Sequence, residues 1–330
     1  MSIWLHKLGA NVFGYSLPAP TEPSLFVTGQ VADLVENHFG DILDHKNLLK
    51  ALLDFRPEIV IHMAAQPLVR ASYENPIETY ETNIMGTLHL LQALRQIPSV
   101  RSTVIVTTDK CYENFERDAG YLEDEPLGGF DPYSSSKACA ELVTSAMRRS
   151  FFVDSPCSIA TARAGNVIGG GDWAKDRLIP DFVRSFSQKK KAFVRNPNAI
   201  RPWQHVMEPL SGYLLLAEKL FYEGKKFAEA WNLGPYEHDS RDVRSVADHL
   251  VQLWGDGARW DTDLNQKHPH EAHYLKLNTQ KALRGLGWKP RLSLNECLDL
   301  TCQWYKDYYQ NKSNAYDLTM AQLHHFEQRL

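Results

Sequence analysis

Apolar residues in the first half of the chain gather into short continuous runs at 10–15, 38–42, 58–64 (EIVIHMA), 103–108 (TVIVTT) and 158–164, and these runs predict strands. The segments between them, at 30–36, 44–54, 76–97 and 134–151, have the spacing of helices. In the longest, Ile77, Tyr80, Ile84, Leu88, Leu91 and Leu94 recur at intervals of three and four and predict one apolar face, with Asn83 and His89 outside it. Strand and helix in alternation predict an α/β fold, a parallel sheet wound on both faces by helices. The first residues, MSIWLHKLGANVFGYSL, read as the last turns of a helix followed by a strand.

From about residue 167 the texture changes. Gly169-Gly170-Gly171 is followed by Pro180, Pro197, Pro202 and Pro209, which punctuate shorter elements. Helices are expected at 208–222, 241–254 and 294–309, and strands at 192–195, 229–233 and 273–277. The division predicted is a main domain over 1–166 and a smaller lobe over 167–330, interleaved with the first because no Gly/Ser-rich linker separates them.

Composition narrows the function. With 36 Lys and Arg against 40 Asp and Glu, the net charge of -4 gives no basic footprint for nucleic acid or an acidic membrane surface. No run reaches the ~18 to 20 apolar residues of a membrane helix, and the N-terminus lacks a signal peptide's cleavage pattern. The five cysteines, Cys111, Cys139, Cys157, Cys297 and Cys302, are odd in number and contain no C-x-x-C pair, so no disulfide framework is expected and a reducing cytoplasm is the simplest location. His268, His270, Glu271 and His273 do not match the H-E-x-x-H helix or the usual zinc spacing, so no metal site is expected.

The sharpest chemical pattern is Tyr133-Ser-Ser-Ser-Lys137 at a helix start, preceded by a strand that ends Thr107-Thr108-Asp109-Lys110. At i and i+4 the two side chains share a helical face, where an ammonium can lower a phenol's pKa and let it serve as a base. The hydroxyl of Thr108 could share the same substrate oxygen. Ligands of parallel sheets bind outside the carboxyl ends of the strands, which is where T-T-D-K falls.

With these motifs the chain resembles the extended short-chain dehydrogenase/reductases, and within them the nucleotide-sugar 4,6-dehydratases. The resemblance runs through HMAAQPLVRASYENP at 62–76, TTDKCY at 107–112, DPYSSSKACAE at 131–141, RAGNVIGGGDWAKDRLIPD at 163–181, RNPNAIRPWQHVMEPLSGY at 195–213 and HPHEAHYLKL at 268–277. It implies a Rossmann-like doubly wound sheet with a C-terminal substrate lobe, NAD as cofactor, a homodimer or higher oligomer, and a product that feeds dideoxysugar synthesis for surface polysaccharide. It also implies roles: Tyr133, Lys137 and Thr108 for oxidation at C4, Asp109 as the acid that protonates O6, and Lys110 near C5. A lysine at 110, where the dTDP-glucose relatives have glutamate, resembles the branch that takes CDP-glucose. By the same resemblance Asp41 and Ile42 meet the adenine end of NAD, Met63, Ala64, Ala65, Gln66 and Asn83 lie along the cofactor, and Asn166, Arg195, Arg201 and Tyr274 face the sugar nucleotide. Arginine forks at 195 and 201 would suit a diphosphate.

One part of the pattern has no counterpart here. The family opens with a strand and a G-x-x-G-x-x-G turn that cradles the pyrophosphate, whereas Phe26-Val27-Thr28-Gly29 is followed by no further glycine until Gly40. The sequence therefore leaves two expectations open: an NAD-dependent nucleotide-sugar dehydratase, or a catalytically impaired relative that retains nucleotide-sugar binding or subunit association.

Overall fold

The computed structural model describes residues 1–262 and 274–330. A short helix α1 (Ser2–Lys7) leads into strand β1 (Phe13–Ser16), which pairs in parallel with β2 (Glu36–Phe39), so the helix-then-strand reading of the opening residues holds. Between them lie the single turn α2 (Leu25–Thr28) and a 3-10 turn at 31–33, not the helix expected over 30–36. The apolar Val31, Leu34 and Val35 satisfy a helical period, but the chain extends at Glu36 to pair with Phe13. The strand expected at 38–42 thus ends at Phe39, which leaves Asp41 and Ile42 just past its carboxyl end.

Helix α3 (His45–Phe55), capped by Asp44, crosses to β3 (Ile59–His62). The segment expected as one helix over 76–97 is broken: α4 (Val69–Glu74) precedes α5 (Pro76–Tyr80), a π turn occupies 81–85, and α6 (Gly86–Leu94) follows. A π turn adds a residue to the turn and rotates the faces on either side of it. Leu91 and Leu94 are buried as expected, but Ile77 and Tyr80 are exposed, and Thr79, Asn83 and Thr87 take the inner line instead. Gly86 sits where α6 crosses the 41–42 segment, and a Cβ there would lie 2.6 Å from the Ile42 side chain. Strand β4 (Ser102–Val106), helix α7 (Pro132–Phe151) and strand β5 (Ser158–Ala164) complete the first half close to their expected bounds.

In the second half β6 (Val167–Ile168) is followed by α8 (Leu178–Ser187), β7 (Ala192–Val194), β8 (Ile200–Pro202), β9 (Gln204–His205) and α9 (Met207–Glu223). Strand β10 (Ala230–Leu233) returns to the main sheet, whose order is β10-β5-β4-β3, all parallel. Strands β11 (Ser240–Asp242) and β12 (Trp260–Thr262) and helices α10 (Val243–Trp254), α11 (Leu294–Tyr309) and α12 (Ala315–Glu327) build the remaining lobe. Of the strand expected at 273–277, residues 274–277 make only isolated bridges, Tyr274 with Ile200 and Leu277 with Tyr121. Strand β10, from the second half of the chain, thus pairs with β5 of the first, and residue 166 falls between β5 and β6.

Among the described residues no ladder joins β1 to β3, so the parallel layer is divided into a pair and a foursome. The two parts share one apolar cluster, in which Tyr15 and Leu43 pack with Val60, Ala64 and the buried Leu90, Leu91 and Ile105. Every strand of the foursome delivers its carboxyl end to the same edge: 63–66 after β3, 107–108 after β4, and 165–166 after β5.

Candidate active site

Helix α7 begins where it does because Asp131 caps it, accepting from the Ser134 N–H at 2.9 Å and from the Ser134 hydroxyl at 2.6 Å, with Pro132 in the first turn. That start places Tyr133 and Lys137 on the buried face, beside the end of β4. The Lys137 ammonium donates to the Val106 carbonyl at 3.1 Å, and the Tyr133 hydroxyl is hydrogen-bonded to Thr108. Burial pushes the Tyr133 phenol up to about 12 against the help of Thr108, and burial pulls the Lys137 ammonium down to about 8. The phenol is therefore protonated near neutral pH, and the groups that lower it are Thr108 and Arg177, not the Lys137 ammonium expected from the spacing.

From Thr108 a string of polar contacts continues. Its hydroxyl donates to Asp109 Oδ1 at 3.0 Å; Lys110 Nζ approaches the same oxygen at 3.4 Å and reaches Asn166 Oδ1 at 3.3 Å. Asp109 is fully buried and its Oδ2 has no hydrogen-bond partner among the described residues. Gly165 walls it in: a Cβ there would stand 2.5 Å from Pro202 and 3.2 Å from that oxygen. Tyr133, Thr108, Lys110, Asn166, Arg195 and Arg201 all line one cavity of about 490 Å³.

The remaining candidates divide. Arg195 donates to Asp176 Oδ1 at 2.9 Å, an oxygen it shares with Arg70 at 2.8 Å, and Arg201 is buried with one N–H on the Ile200 carbonyl. Tyr274 does not line the cavity; its hydroxyl bonds Asp118 at the surface, and Leu275 takes the place at the wall. His268, His270, Glu271 and His273 lie outside the described residues. Met63, Ala64, Ala65 and Gln66 form the loop after β3, and Asn83 holds it, accepting from the Gln66 N–H at 2.9 Å and donating to the Gln66 carbonyl at 3.1 Å and to Ser136 at 2.8 Å. Asn83 thus acts on this loop through the backbone. Asp41 accepts from the Leu43 N–H at 2.9 Å, and its carbonyl accepts from Tyr15 at 3.1 Å.

Three comparisons bear on this site. The sequence profile of the GDP-mannose 4,6 dehydratase family matches residues 24–301. The chain belongs to that family. Within it, the chain is 55% identical over 313 residues to CDP-glucose 4,6-dehydratase of Salmonella typhimurium, covering 93% of this chain and 86% of that protein. Human dTDP-D-glucose 4,6-dehydratase is 26% identical over 284 residues, covering 84% and 76%. Among solved structures, UDP-glucuronic acid 4-epimerase of Bacillus cereus superposes with a TM-score of 0.80 at 21% identity, covering 93% of this chain and 96% of that one. The dTDP-glucose 4,6-dehydratase of Bacillus anthracis, in complex with NAD, gives 0.76 at 21%, covering 94% and 93%. At such identities these structures establish the fold, a Rossmann-like α/β unit.

Two features of this member of the 4,6-dehydratase family were not singled out in the sequence. His62, at the end of β3, is buried with Nε2 3.1 Å from the Thr87 hydroxyl, and burial followed by the neighbouring Lys137 charge holds it down to about 3. Glu141 and Arg163 form a buried ion pair one turn beyond Lys137. The first carries no motif; the second continues the 133, 137 series by another four residues and could have been found from that spacing.

His62 sets an expected response to acid, together with His205, which burial holds down to about 4. Both imidazoles are neutral when folded and take up a proton on unfolding below pH ~6.5, so the unfolded state binds more protons and stability falls as pH drops. Between pH 7 and 5 each contributes a loss of about 2 kcal/mol. Urea unfolding at the two pH values checks this; an unchanged midpoint would refute it.

Proposed function

We propose that this chain is an NAD-dependent 4,6-dehydratase that converts CDP-glucose to CDP-4-dehydro-6-deoxyglucose and water. The observation that carries the reading is the string Tyr133–Thr108–Asp109–Lys110–Asn166, of which Tyr133, Thr108, Lys110 and Asn166 line one cavity and Asp109 lies buried directly behind them; it sets an oxidation pair beside an elimination pair. Supporting it is 55% identity to the Salmonella enzyme over nearly the whole chain. CDP-glucose is preferred to other sugar nucleotides on that identity and on Lys110.

The residues present fit NAD at its two ends. Tyr133 and Lys137 converge at the end of β4, and Ala64 and Ala65, small and half-buried after β3, allow a ligand to approach the backbone. Asp41 and Ile42 would hold the adenine end, and Met63 to Gln66, locked by Asn83, would line the passage between. When bound, NAD supplies the two-electron acceptor that oxidises C4 and then the donor that reduces C6.

The chain's own part is proton handling. Tyr133, as phenolate, takes the proton of the 4-hydroxyl while Thr108 holds that oxygen and the Lys137 ammonium stabilises the phenolate. The 4-ketone acidifies the C5 hydrogen. Asp109, protonated, then delivers its proton to O6 so that water leaves, and Lys110, or a water it holds, accepts the C5 proton. Asp109 meets one requirement of an acid: its Oδ2 is buried and uncommitted among the described residues, one layer behind the cavity wall formed by Thr108, Lys110 and Gly165. Arg195 and Arg201 bind the diphosphate, and Asn166 orients the sugar with Lys110; Tyr274, turned to Asp118, shapes the entrance from outside. Of these, Arg195, Arg201 and Tyr274 belong to the second lobe, 167–330.

Incubation with NAD and CDP-glucose, with the 4-keto product read by its absorbance in alkali, tests the activity; turnover of dTDP-glucose in preference would overturn the base assignment, and no turnover of any sugar nucleotide would overturn the reaction. The enzyme is further proposed to work in the cytoplasm, without nucleic acid or membrane partners, supplying dideoxysugars for lipopolysaccharide O-antigen. No described helix is long and apolar enough to cross a membrane.

The exposed Ile77 on α5 and Leu142 on α7, 72% and 57% accessible, support pairing of these helices with a second copy. A homodimer is expected by sedimentation at micromolar concentration. A strictly monomeric species would count against it.

A further inference from the structure

Glu141 stands eight residues after Tyr133 and four after Lys137, on the same face of α7. Its side chain is buried and each carboxylate oxygen receives two donors. Oε1 accepts from the Thr107 hydroxyl at 2.5 Å and from Arg163 Nε at 3.0 Å; Oε2 accepts from the Thr161 hydroxyl at 2.7 Å and from Arg163 NH2 at 2.9 Å. Thr107 lies between Val106, whose carbonyl receives the Lys137 ammonium, and Thr108, which bonds Tyr133. The carboxylate therefore grips the strand end on which both members of the pair rest. Arg163 extends the grip, donating to the Tyr112 hydroxyl at 2.7 Å and to the Glu123 carbonyl at 3.0 Å, and Tyr112 is two residues past Lys110.

A buried ion pair is poor evidence for stability, since apolar residues of similar volume often serve as well. Its place here gives it another use. We propose that Glu141, held by Arg163, is a positioning residue for the Tyr133–Lys137 pair, fixing the 106–108 strand end and supplying the negative field that keeps the Lys137 ammonium charged. The inference rests on the reading of Tyr133 and Lys137 as the oxidation pair.

The charges around Lys137 leave Glu141 as the group for this task. From β3 Lys137 is faced by His62, which is neutral; from the turn after β4 by Cys111, whose thiol burial holds well above its ordinary range; and from its own helix by Glu141, whereas the charges that face Tyr133 are Asp109, Asp131 and Arg177. Glu141 in turn is faced by Arg163 of β5, by Arg148 of α7 and by Cys111. Burial pulls the Lys137 ammonium down to about 8, and Glu141 opposes that lowering.

Glu141→Gln keeps the shape and removes the charge. The alkaline limb of kcat, where Lys137 loses its proton, is expected to move down by about one pH unit, with kcat at pH 8 falling roughly fivefold and KM for the sugar nucleotide little changed. Glu141→Asp, which restores the charge, is expected to return the limb. The midpoint is also read without turnover, by NMR titration of lysine labelled with carbon-13 at the ε position, the Lys137 signal being the one lost in Lys137→Met. An unmoved midpoint in Glu141→Gln overturns the inference, as would a lower kcat with an unmoved limb. If Glu141→Gln fails to fold, Thr107→Val leaves the ion pair and cuts its link to the strand; a threefold to tenfold loss of kcat supports the grip and full activity overturns it. Failure of the wild-type chain to turn over CDP-glucose would remove the dehydratase reading alone, because the NMR midpoint does not depend on it.

Discussion

Tyr133→Phe is expected to lower oxidation at C4 by at least ~10² to 10⁴, the range for loss of one positioned acid–base group. The substitution removes only the hydroxyl that bonds Thr108, leaving the ring in its buried seat. Lys137→Met should fall in the same range, because burial already pushes the phenol up to about 12 despite Thr108 and Arg177, and the variant removes the ammonium proposed to stabilise the phenolate. The two effects should not add: the side chains act as a unit, so the double variant is expected to resemble either single one. The measurement is the absorbance of reduced cofactor in a single turnover. Unchanged oxidation in either variant would remove the assigned roles.

Asp109→Asn should divide the reaction differently. The amide keeps the volume that Gly165 and Pro202 leave for it but has no proton to give to O6. Oxidation should proceed and water loss should slow by ~10² to 10⁴, so the 4-keto hexose and reduced cofactor accumulate together. Rapid-quench analysis that finds normal dehydration would show that another acid serves O6. Because Asp109 also receives Thr108 and Lys110, a modest loss in the oxidation step would accompany the large one. The order of the two losses is what identifies its role.

Much of the main sheet was legible because β4 and β5 run through the interior, and a parallel strand buried on both faces is a nearly unbroken apolar run; β3, though at the sheet edge, keeps the same apolar character. The 76–97 helix was less so. Its inner line of Thr79, Asn83 and Thr87 is polar, each side chain bonded within the protein, and periodicity in hydrophobicity cannot register a face built from hydrogen bonds. The 30–36 region failed for the opposite reason: its apolar residues satisfy a helical period that pairing with β1 overrides. At the site, spacing singled out Tyr133 and Lys137 as neighbours on one helical face, whereas the pairing of Glu141 with Arg163, 22 residues apart, depends on the approach of α7 to β5 in the core. Arg195 was read as a phosphate fork; its pairing with Asp176 depends on the path of the loops, which composition does not disclose.

The divided layer gives the cofactor a second task. Residues 41–42 follow the two-stranded part and residues 63–66 the four-stranded part, and among the described residues only side chains tie the two together at that edge. A dinucleotide spanning both segments would be a clasp as well as a reactant, adding polar bonds across a seam that the backbone does not close. Mass action turns such a clasp into folding free energy, about 2.7 kcal/mol at a hundred times its dissociation constant. The melting temperature of this chain should therefore climb with NAD concentration, and a cell short of the dinucleotide would hold less of the folded protein, not merely a slower one.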